Sequence, residues 1–313
     1  MAEAGADLAL HIEANYRLGQ AYWALADYRR AVPCFERNVS SLEGHLSRER
    51  FGMSGFPAVL AREWLVMILA EQGAFVTGRE RGAEMVRLAE ALNHPFSLSG
   101  AYLAVGHLSL RQGDLDQAIV ALERCLDVCQ VWHISLVFPW AASSLGAAYA
   151  LAGRLAEALP LVEQAVAQAV SMRFTAAQSL WMTQLSEVYL LAGRLEEAFT
   201  QARRALELAR THQERGHEAW VHRLLGELHA HRHPPAVEQA AASYQEALAL
   251  AEALGMRTLQ VHCHRGLGTL YARIGQQERA RTALSTAIEM YTSMAMTFWL
   301  PETEAALAQV EAQ

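Results

Sequence analysis

The stretch LGTLYARIGQQERARTALSTA, residues 267–287, contains two short amphipathic helices separated by a turn. Gly275 stands at the turn, where a positive φ angle is needed and glycine adopts it most easily. Gly268 and Ala280 lie on one face of the first and second helix, where small side chains let two backbones approach closely. Leu284 fills the volume beside this contact. The stretch therefore predicts a helical hairpin.

The same pattern recurs along the chain with a nearly fixed period. The small position of the first helix is occupied in turn by Gly19, Val66, Gly106, Gly146, Ser186, Gly226 and Gly268, at intervals of 47, 40, 40, 40, 40 and 42 residues. The turn position holds Ala26, Gly73, Gly113, Gly153, Gly193, His233 and Gly275. The small position of the second helix holds Ala31, Gly78, Ala118, Ala158, Ala198, Ala240 and Ala280. A period of this length is typical of a solenoid, so we predict an all-α, right-handed α-solenoid.

The repeats fill the chain from end to end, so we predict a single domain over residues 1–313. Seven long hairpins are expected, at residues 12–41, 57–92, 96–131, 136–171, 176–211, 217–254 and 258–293. Residues 300–312 are predicted to form a capping helix, since Pro301 suits a first helical turn and the following apolar residues would cover the last hairpin.

The repeated Leu-Gly-x-x-Tyr, Gly and Ala positions resemble the tetratricopeptide repeat (TPR) in a long form without its closing proline. The C-terminal sequence, from GHEAWVHRLLGELHAHRHPPAVEQAAASYQEALALAEALGM to MTFWLPETEAALAQ, is similar to the C-terminal TPR module of bacterial proteins that join an adenylate or guanylate cyclase domain to an AAA-type ATPase. This resemblance implies a regulatory, interaction-bearing module of a bacterial signalling protein. Neither the cyclase nor the ATPase sequence is present in this chain.

Composition and motifs argue against several functions. The formal net charge is −7 and no face carries a sustained basic stripe, so we expect no nucleic-acid partner. The chain has no lysine, which excludes a P-loop lysine and a Schiff-base lysine. No nucleophile, metalloprotease or phosphate-loop motif is found, and Glu196 and Glu197 lie where a helix dipole already explains them. We therefore predict that the protein is not an enzyme and has no cofactor.

The N-terminal sequence and one uncharged segment bear on where in the cell the protein is found. The N-terminal sequence has early acidic residues and no basic region before an apolar run, so it does not resemble a signal peptide. Residues 128–153 lack charged side chains over a length that would span a bilayer, but Pro139 and several polar residues interrupt them. We predict a buried helix pair there, no membrane association and a cytoplasmic location.

Cysteine and histidine side chains are the candidate metal ligands in this sequence. Cys125 and Cys129 lie one helical turn apart and are expected to pack in the core, as free cysteines usually do. Of the run His229, His231 and His233, only the first and last share a helix face. We therefore predict no metal site.

The family resemblance also implies an inner groove. TPR proteins line it with first-helix residues three before, one after and four after the small position, and some residues a turn earlier. The residues of this chain at those positions are Tyr16, Gln20, Trp23, Glu63, Met67, Leu103, His107, Trp140, Ser143, Thr183, Glu187, Trp220, Arg223, Glu227, His262, Arg265 and Thr269. Ala147 also occupies such a position. This set is aromatic at its N-terminal end, small and apolar in the middle, and charged at its C-terminal end.

The groove leads to three functional hypotheses. In the first, the protein is a non-catalytic scaffold or regulatory module that binds a protein or peptide, with Arg223 and Arg265 holding an acidic peptide or a small anion beside Trp220. In the second, the apolar middle around Trp140 and His107 closes into a small-molecule sensing pocket. In the third, exposed hairpin faces mediate self-association.

The irregular connection between the first two hairpins, residues 44–57, allows two interpretations. Gly52, Gly55 and Pro57 break its helical pattern, and it carries arginine and phenylalanine side chains. It is either a loop at the binding face or a stiff linker that fills a gap between hairpins.

Overall fold

The chain folds into helices throughout the part that the structure describes. The structure is a computed structural model that describes residues 2–174 and 176–312, with the side chains of residues 2–6 left out. Its α-helices in chain order are α1 Ala2–Ala24, α2 Tyr28–Ser41, α3 Pro57–Glu71, α4 Phe75–Leu92, α5 Pro95–Gln112, α6 Leu115–Val131, α7 Phe138–Leu151, α8 Leu155–Ser171, α9 Gln178–Leu191, α10 Leu195–Thr211, α11 Arg215–Ala230, α12 Val237–Leu254, α13 Arg257–Arg273, α14 Gln277–Ser293 and α15 Leu300–Glu311. A 3-10 helix, Gly44–Arg48, lies between α2 and α3. Within these residues no strand occurs, and the predicted all-α solenoid is confirmed.

The predicted small positions are where the two helices of a hairpin touch. A Cβ atom added to Gly106 would lie 2.5 Å from the Leu122 side chain, and one added to Gly146 would lie 2.1 Å from that of Val162. Atoms cannot approach this closely without repacking, so glycine sets the distance between the helices. Gly268 makes the same contact with Leu284.

The predicted turns also form. Gly113 has φ +86° and Gly275 has φ +74°, a region in which a Cβ atom is strained. After the first of these turns, the Asp114 side chain accepts a hydrogen bond from the Gln117 backbone N–H at 3.2 Å. This bond satisfies a free donor at the start of α6.

The sixth hairpin has the two extra residues that the spacing requires. These two residues are Pro234 and Pro235, in the connection between α11 and α12. After them, Ala240 is fully buried at the small position of the second helix. The first hairpin differs more from expectation, because α1 begins at Ala2, ten residues before the predicted start. The final helix, α15, packs on α14 and buries Val310 against the last hairpin, as a capping helix does.

Residues 44–57 pack against the solenoid and do not project from it. Met53 is 7% exposed, and its carbonyl accepts a hydrogen bond from the Arg50 guanidinium at 2.9 Å. The Phe56 backbone N–H donates to Ser97 Oγ in the next hairpin at 2.9 Å. These contacts favour the linker interpretation over a binding loop.

The uncharged segment 128–153 covers the end of α6 and the whole of α7. Every residue of α7 from Ala141 to Ala150 is buried among neighbouring hairpins. Among the described helices, none combines the length and the apolar character needed to cross a bilayer. Cys34, Cys125, Cys129 and Cys263 are buried free thiols, and Cys125 Sγ contacts the Ser99 carbonyl at 3.1 Å.

The stack of hairpins curves until its C-terminal part meets its N-terminal part. Thr258 Oγ1 at the start of α13 donates to the Ala70 carbonyl at the end of α3, at 2.7 Å. The Gln112 side chain donates to the Ala295 carbonyl at 3.2 Å. The Met294 side chain fills the space above Gly73, where a Cβ atom would lie 2.2 Å from its sulfur. The solenoid therefore closes on itself, with contacts between hairpins that are distant in sequence.

Candidate binding cavity

The inner surface contains a cavity of about 430 Å³, which we call the binding cavity. Its walls come from α5, α7, α9, α11 and α13, together with Phe298, Trp299 and Glu302 at the start of α15. A volume of this size lies within the range of roughly 300–1,000 Å³ that is usual for ligand sites.

The residues predicted to line the groove separate into four groups. Those that line the binding cavity are Glu187, Trp220, Arg223, Glu227, His262, Arg265 and Thr269. All belong to α9, α11 and α13, so the structure brings together the charged C-terminal end of the predicted set. Ala147 of α7 also lines this cavity.

A second group faces a much smaller space between the two ends of the solenoid. Trp23, Met67 and His107 line a gap of about 20 Å³, which Trp220 also borders. A water molecule needs about 10–15 Å³ by the same measure, so the gap has room for about one water molecule and for no larger ligand. These three residues therefore act as packing contacts in this conformation.

The third group lies in the interior. Leu103, Ser143 and Thr183 occupy the position three residues before the small residue, and each is less than 5% exposed. Thr183 Oγ1 donates to the Ser179 carbonyl at 2.6 Å, and Ser143 Oγ bonds the Gln184 side chain. None of these three side chains lines the binding cavity, although Arg223 and Arg265, at the same position in later repeats, do.

The aromatic N-terminal residues of the set pack against one another. The ring centroids of Trp23 and Trp64 are 4.7 Å apart, those of Trp64 and Trp140 are 6.4 Å apart, and those of Trp140 and Trp181 are 5.6 Å apart. Trp140 is thus surrounded by rings and does not line the binding cavity. The small-molecule pocket predicted around Trp140 and His107 is not where the structure has its large cavity.

Tyr16, Gln20 and Glu63 lie in this aromatic region as well. Tyr16 Oη accepts hydrogen bonds from Trp64 Nε1 and Gln20 Nε2, each at 3.2 Å. Burial raises the pKa of the Glu63 carboxyl to about 7.

A buried ionic network separates the aromatic region from the binding cavity. Glu71 of α3 accepts hydrogen bonds from Arg111 Nε at 2.8 Å and from Trp220 Nε1 at 2.9 Å, and lies 3.4 Å from His107 Nε2. Burial alone would raise the pKa of Glu71, but Arg111, His107 and Trp220 outweigh it and lower the pKa to about 2. The Arg111 guanidinium also lies 3.8 Å from the Trp220 ring centroid, at a cation–π distance. The network ties α3 and α5 to α11.

The sequence prediction missed Glu71 and Arg111 because both lie five residues after the small position. The residues at this offset in successive first helices are Glu71, Arg111, Leu151, Leu191, His231 and Arg273. All of them except Glu71 line the binding cavity. The repeat pattern could have identified these residues. They lie five residues after the small position, one residue beyond the position four residues after it that lines the groove in TPR proteins.

Arg223 is already neutralised by the chain's own carboxylates. Its guanidinium donates to Glu227 Oε2 at 2.7 Å and forms a second ion pair with Glu187. Burial opposes the charged form of Arg223, but the two carboxylates outweigh it, so the pKa of Arg223 is raised. The pKa of Glu187 is raised by burial despite Arg223, whereas the pKa of Glu227 is lowered, since Arg223 and Arg265 outweigh its burial.

The wall formed by α13 is less neutralised. Arg265 Nη1 lies 3.0 Å from Glu302 Oε2, and this glutamate side chain is 80% exposed. Arg273 Nη1 donates to the Ala230 carbonyl at 3.4 Å. Across residues 2–174 and 176–312, no carboxylate lies within 4 Å of the Arg273 guanidinium.

His262 contributes an aromatic, neutral surface beside this wall. Its ring centroid is 4.5 Å from that of Trp299, and its Nδ1 lies 3.0 Å from Tyr291 Oη. Burial, followed by the nearby arginines Arg223 and Arg265, lowers the pKa of His262 well below its ordinary value.

The histidine run at the end of α11 has other contacts. The His229 ring lies 5.1 Å from the Phe199 ring, and His231 Nδ1 is 2.8 Å from the Glu227 carbonyl. In the described part of the chain, no three His, Cys, Asp or Glu side chains are arranged to hold a metal ion.

Comparisons with known proteins add to this geometry. The family description "Tetratricopeptide repeat" matches residues 12–40, 99–130 and 137–211. No curated protein matches the sequence significantly. The matched segments cover the hairpins α1/α2, α5/α6, α7/α8 and α9/α10.

Three solved structures share the fold at low sequence identity. A Rap protein complexed with competence and sporulation factor is 14% identical, with a TM-score of 0.69 over 98% of this chain and 85% of that chain. NprR in complex with its cognate peptide NprX is 12% identical, with a TM-score of 0.59 over 96% of this chain and 88% of that chain. A signal transduction ATPase with numerous domains (STAND) that has a tetratricopeptide repeat sensor, from Pyrococcus horikoshii, is 15% identical, with a TM-score of 0.54 over 91% of this chain and 42% of that chain. Residues 12–40, 99–130 and 137–211 therefore match the tetratricopeptide repeat, and the chain folds as an α-solenoid similar to these structures.

Proposed function

We propose that the protein is a non-catalytic regulatory scaffold that binds a peptide segment in the binding cavity. The observation that carries this proposal is the cavity of about 430 Å³ on the inner face, lined by first helices of five hairpins. The similar Rap and NprR structures hold competence and sporulation factor and the peptide NprX, which supports the same class of partner here.

The walls suit a short segment that carries both apolar and charged groups. Ala147, Leu151 and Val188 form an apolar part of the lining on α7 and α9. Arg265 and Arg273 give hydrogen-bond donors on α13, and Trp220 on α11 offers a large, rigid contact surface. A preformed surface of this kind loses little conformational entropy when a partner binds.

Binding would be coupled to the curvature of the solenoid. The solenoid is closed by contacts between distant hairpins, such as the Thr258 hydroxyl to the Ala70 carbonyl at 2.7 Å. A ligand that contacts α5 and α13 together would favour the closed form over an opened one, because it interacts with both walls only when they are close. The opened and closed forms would then present different outer surfaces to a downstream protein.

We further propose a cytoplasmic signalling context. The resemblance of the C-terminal hairpins to the repeat module of cyclase and ATPase proteins supports it, as does the fold similarity to a STAND ATPase with a repeat sensor. Four buried free thiols fit a reducing compartment.

A cavity-filling variant tests the proposal. Ala230 lines the binding cavity and is partly exposed to it, so Ala230→Trp should occupy part of the volume. Ala156 lies on the exposed face of α8, and Ala156→Trp is the matched control. Peptides selected from a display library on the wild-type chain should bind Ala230→Trp at least about tenfold more weakly and Ala156→Trp equally well.

Two results would count against the proposal. Equal binding to both variants would place the peptide outside the cavity. A retained non-peptide mass on the purified chain in native mass spectrometry, displaced by none of the selected peptides, would instead indicate a small-molecule sensor.

A further inference from the structure

The four arginines that line the binding cavity differ in how strongly the chain's own carboxylates pair with them. Arg111 and Arg223 are bound by the chain's own carboxylates, at 2.8 Å from Glu71 and 2.7 Å from Glu227. The side chains of both carboxylates are at most 26% exposed, so the pairs are shielded from water. A ligand would have to break such a pair to use either arginine.

The other two arginines lie on α13 and are differently placed. Arg265, Thr269 and Arg273 follow one another at intervals of four residues, so they form a stripe on one helix face. All three line the binding cavity. We call them the α13 stripe.

The α13 stripe has spare donors. The partner of Arg265 is Glu302, whose side chain is 80% exposed, and an ion pair with such an exposed partner is worth little. Arg273 bonds only a backbone carbonyl at 3.4 Å, and in the described residues it has no carboxylate partner. The Thr269 hydroxyl donates to the Arg265 carbonyl at 2.9 Å and retains lone pairs that face the same region.

The opposite part of the lining has a different character. The residues from α7 and from the last turn of α9 are small or aliphatic, including Ala150, Leu151 and Leu191. The α9 residues lie two hairpins away from α13 and the α7 residues three, with α11 between both and α13. A segment in the cavity therefore meets apolar side chains at one side and uncommitted guanidinium groups at the other.

We infer that the α13 stripe binds a carboxylate of the peptide, with Arg265 and Arg273 as its donors. This inference rests on the proposed function and specifies its partner as an acidic, partly apolar segment. Guanidinium groups bind carboxylates through two parallel N–H donors, so one or both arginines can form a charge-assisted pair. Arg265 exchanges Glu302 for the ligand carboxylate, which releases the Glu302 side chain into solvent.

The sequence pointed to Arg223 as the partner of Arg265 in such a site. We assign this role to Arg273 instead. Arg223 sits between Glu187 and Glu227, and reversal of its charge would place three carboxylates together in the interior. That change would destabilise the fold, so a loss of binding would say nothing about the ligand. Arg265 and Arg273 can be altered without leaving a buried carboxylate unpaired.

The carboxylate has two possible sources, the C-terminus or an Asp or Glu side chain. The test uses four synthetic heptapeptide libraries: with a free or an amidated C-terminus, and with or without Asp and Glu at the variable positions. Each is mixed with the full chain, and the peptides that stay bound through size exclusion are identified by mass spectrometry. Retention only of free C-termini assigns the terminal carboxylate, and retention of amidated acidic peptides assigns the side chain.

Variants then connect the preference to the stripe. Arg265→Gln with Arg273→Gln should weaken the retained peptides by about tenfold or more, since hydrogen bonds to charged groups are worth that much. Arg204→Gln with Arg281→Gln removes the same charge from the exposed faces of α10 and α14 and should leave binding unchanged. Arg265 also stabilises the charged form of Glu227, so the Arg265→Gln, Arg273→Gln chain should melt slightly below the wild type and the control chain at the wild-type temperature.

The outcomes separate the inference from the function it rests on. Retained peptides without a carboxylate preference, or full binding to the Arg265→Gln, Arg273→Gln chain, would overturn the inference and leave peptide binding intact. Failure of the wild-type chain to retain any peptide from the four libraries would overturn both.

Discussion

Substitution of Glu71 by glutamine tests whether the buried network holds the closed solenoid together. The Glu71 side chain is 8% exposed, and its carboxylate joins Arg111 and Trp220 on two other hairpins. Glutamine keeps the shape and one acceptor but removes the negative charge. Arg111 is then left buried without a counter-charge, which is the costly way to break such a pair.

The pKa of Glu71 sets the magnitude. The pKa of the Glu71 carboxyl falls from 4.5 in the unfolded chain to about 2 in the folded chain, a difference of about 2.5. One pKa unit corresponds to about 1.36 kcal/mol, so the lowered pKa contributes about 3 kcal/mol to the free energy of unfolding at neutral pH. Because the folded pKa is the lower one, this contribution is complete above about pH 4.5 and disappears as the pH falls towards 2. Glu71→Gln should therefore lose about 3 kcal/mol at pH 7 and progressively less below pH 4.5.

Urea unfolding followed by far-ultraviolet circular dichroism, at pH 7 and at pH 3, measures this difference. The control is Glu84→Gln, which removes an ion pair to Arg62 at 3.1 Å whose carboxylate is 58% exposed, and it should cost less than about 0.5 kcal/mol. A Glu71→Gln loss below about 1 kcal/mol at pH 7 would refute the reasoning. So would a loss of the same size at pH 3.

Two further outcomes are expected. Gly146→Ala should lower the free energy of unfolding by about 1–3 kcal/mol, because the new Cβ would lie 2.1 Å from the Val162 side chain; an unchanged thermal midpoint would mean that α7 and α8 can separate freely. Added zinc should leave the melting temperature unchanged, because His229 packs on Phe199 and not beside further ligands; a zinc-dependent rise that His229→Ala abolishes would contradict this.

The repeat pattern was sufficient to predict the hairpins because it reflects local geometry. Gly106 and Gly146 are required wherever two helices cross at close range, and that requirement recurs at intervals of 40 residues in the sequence. The helix ends followed from the turn residues, such as Gly113 with φ +86°. Local chemistry of this kind is visible in one sequence without knowledge of the rest of the fold.

The binding cavity was only partly predictable. Arg223, Glu227 and Arg265 were found from the family's groove positions, whereas Arg111 and Arg273 at the next offset were missed. The aromatic residues at the N-terminal end were expected to be groove surface, but Trp140 packs against Trp64 and Trp181 and does not line the binding cavity. That outcome depends on how far each hairpin rotates relative to the last, and small rotations accumulate over seven hairpins. The total rotation cannot be predicted from the sequence of any single repeat.

The contacts that close the solenoid have a consequence for how it folds. In an open solenoid each repeat touches only its neighbours, so the contact order is low and terminal repeats can unfold alone. Here Glu71 bonds Trp220 across 149 residues, and Thr258 bonds Ala70 across 188 residues. The second hairpin and the last two hairpins therefore depend on each other for stability. The protein should unfold as one cooperative unit, and loss of the final hairpin should loosen the second hairpin before it affects the fourth.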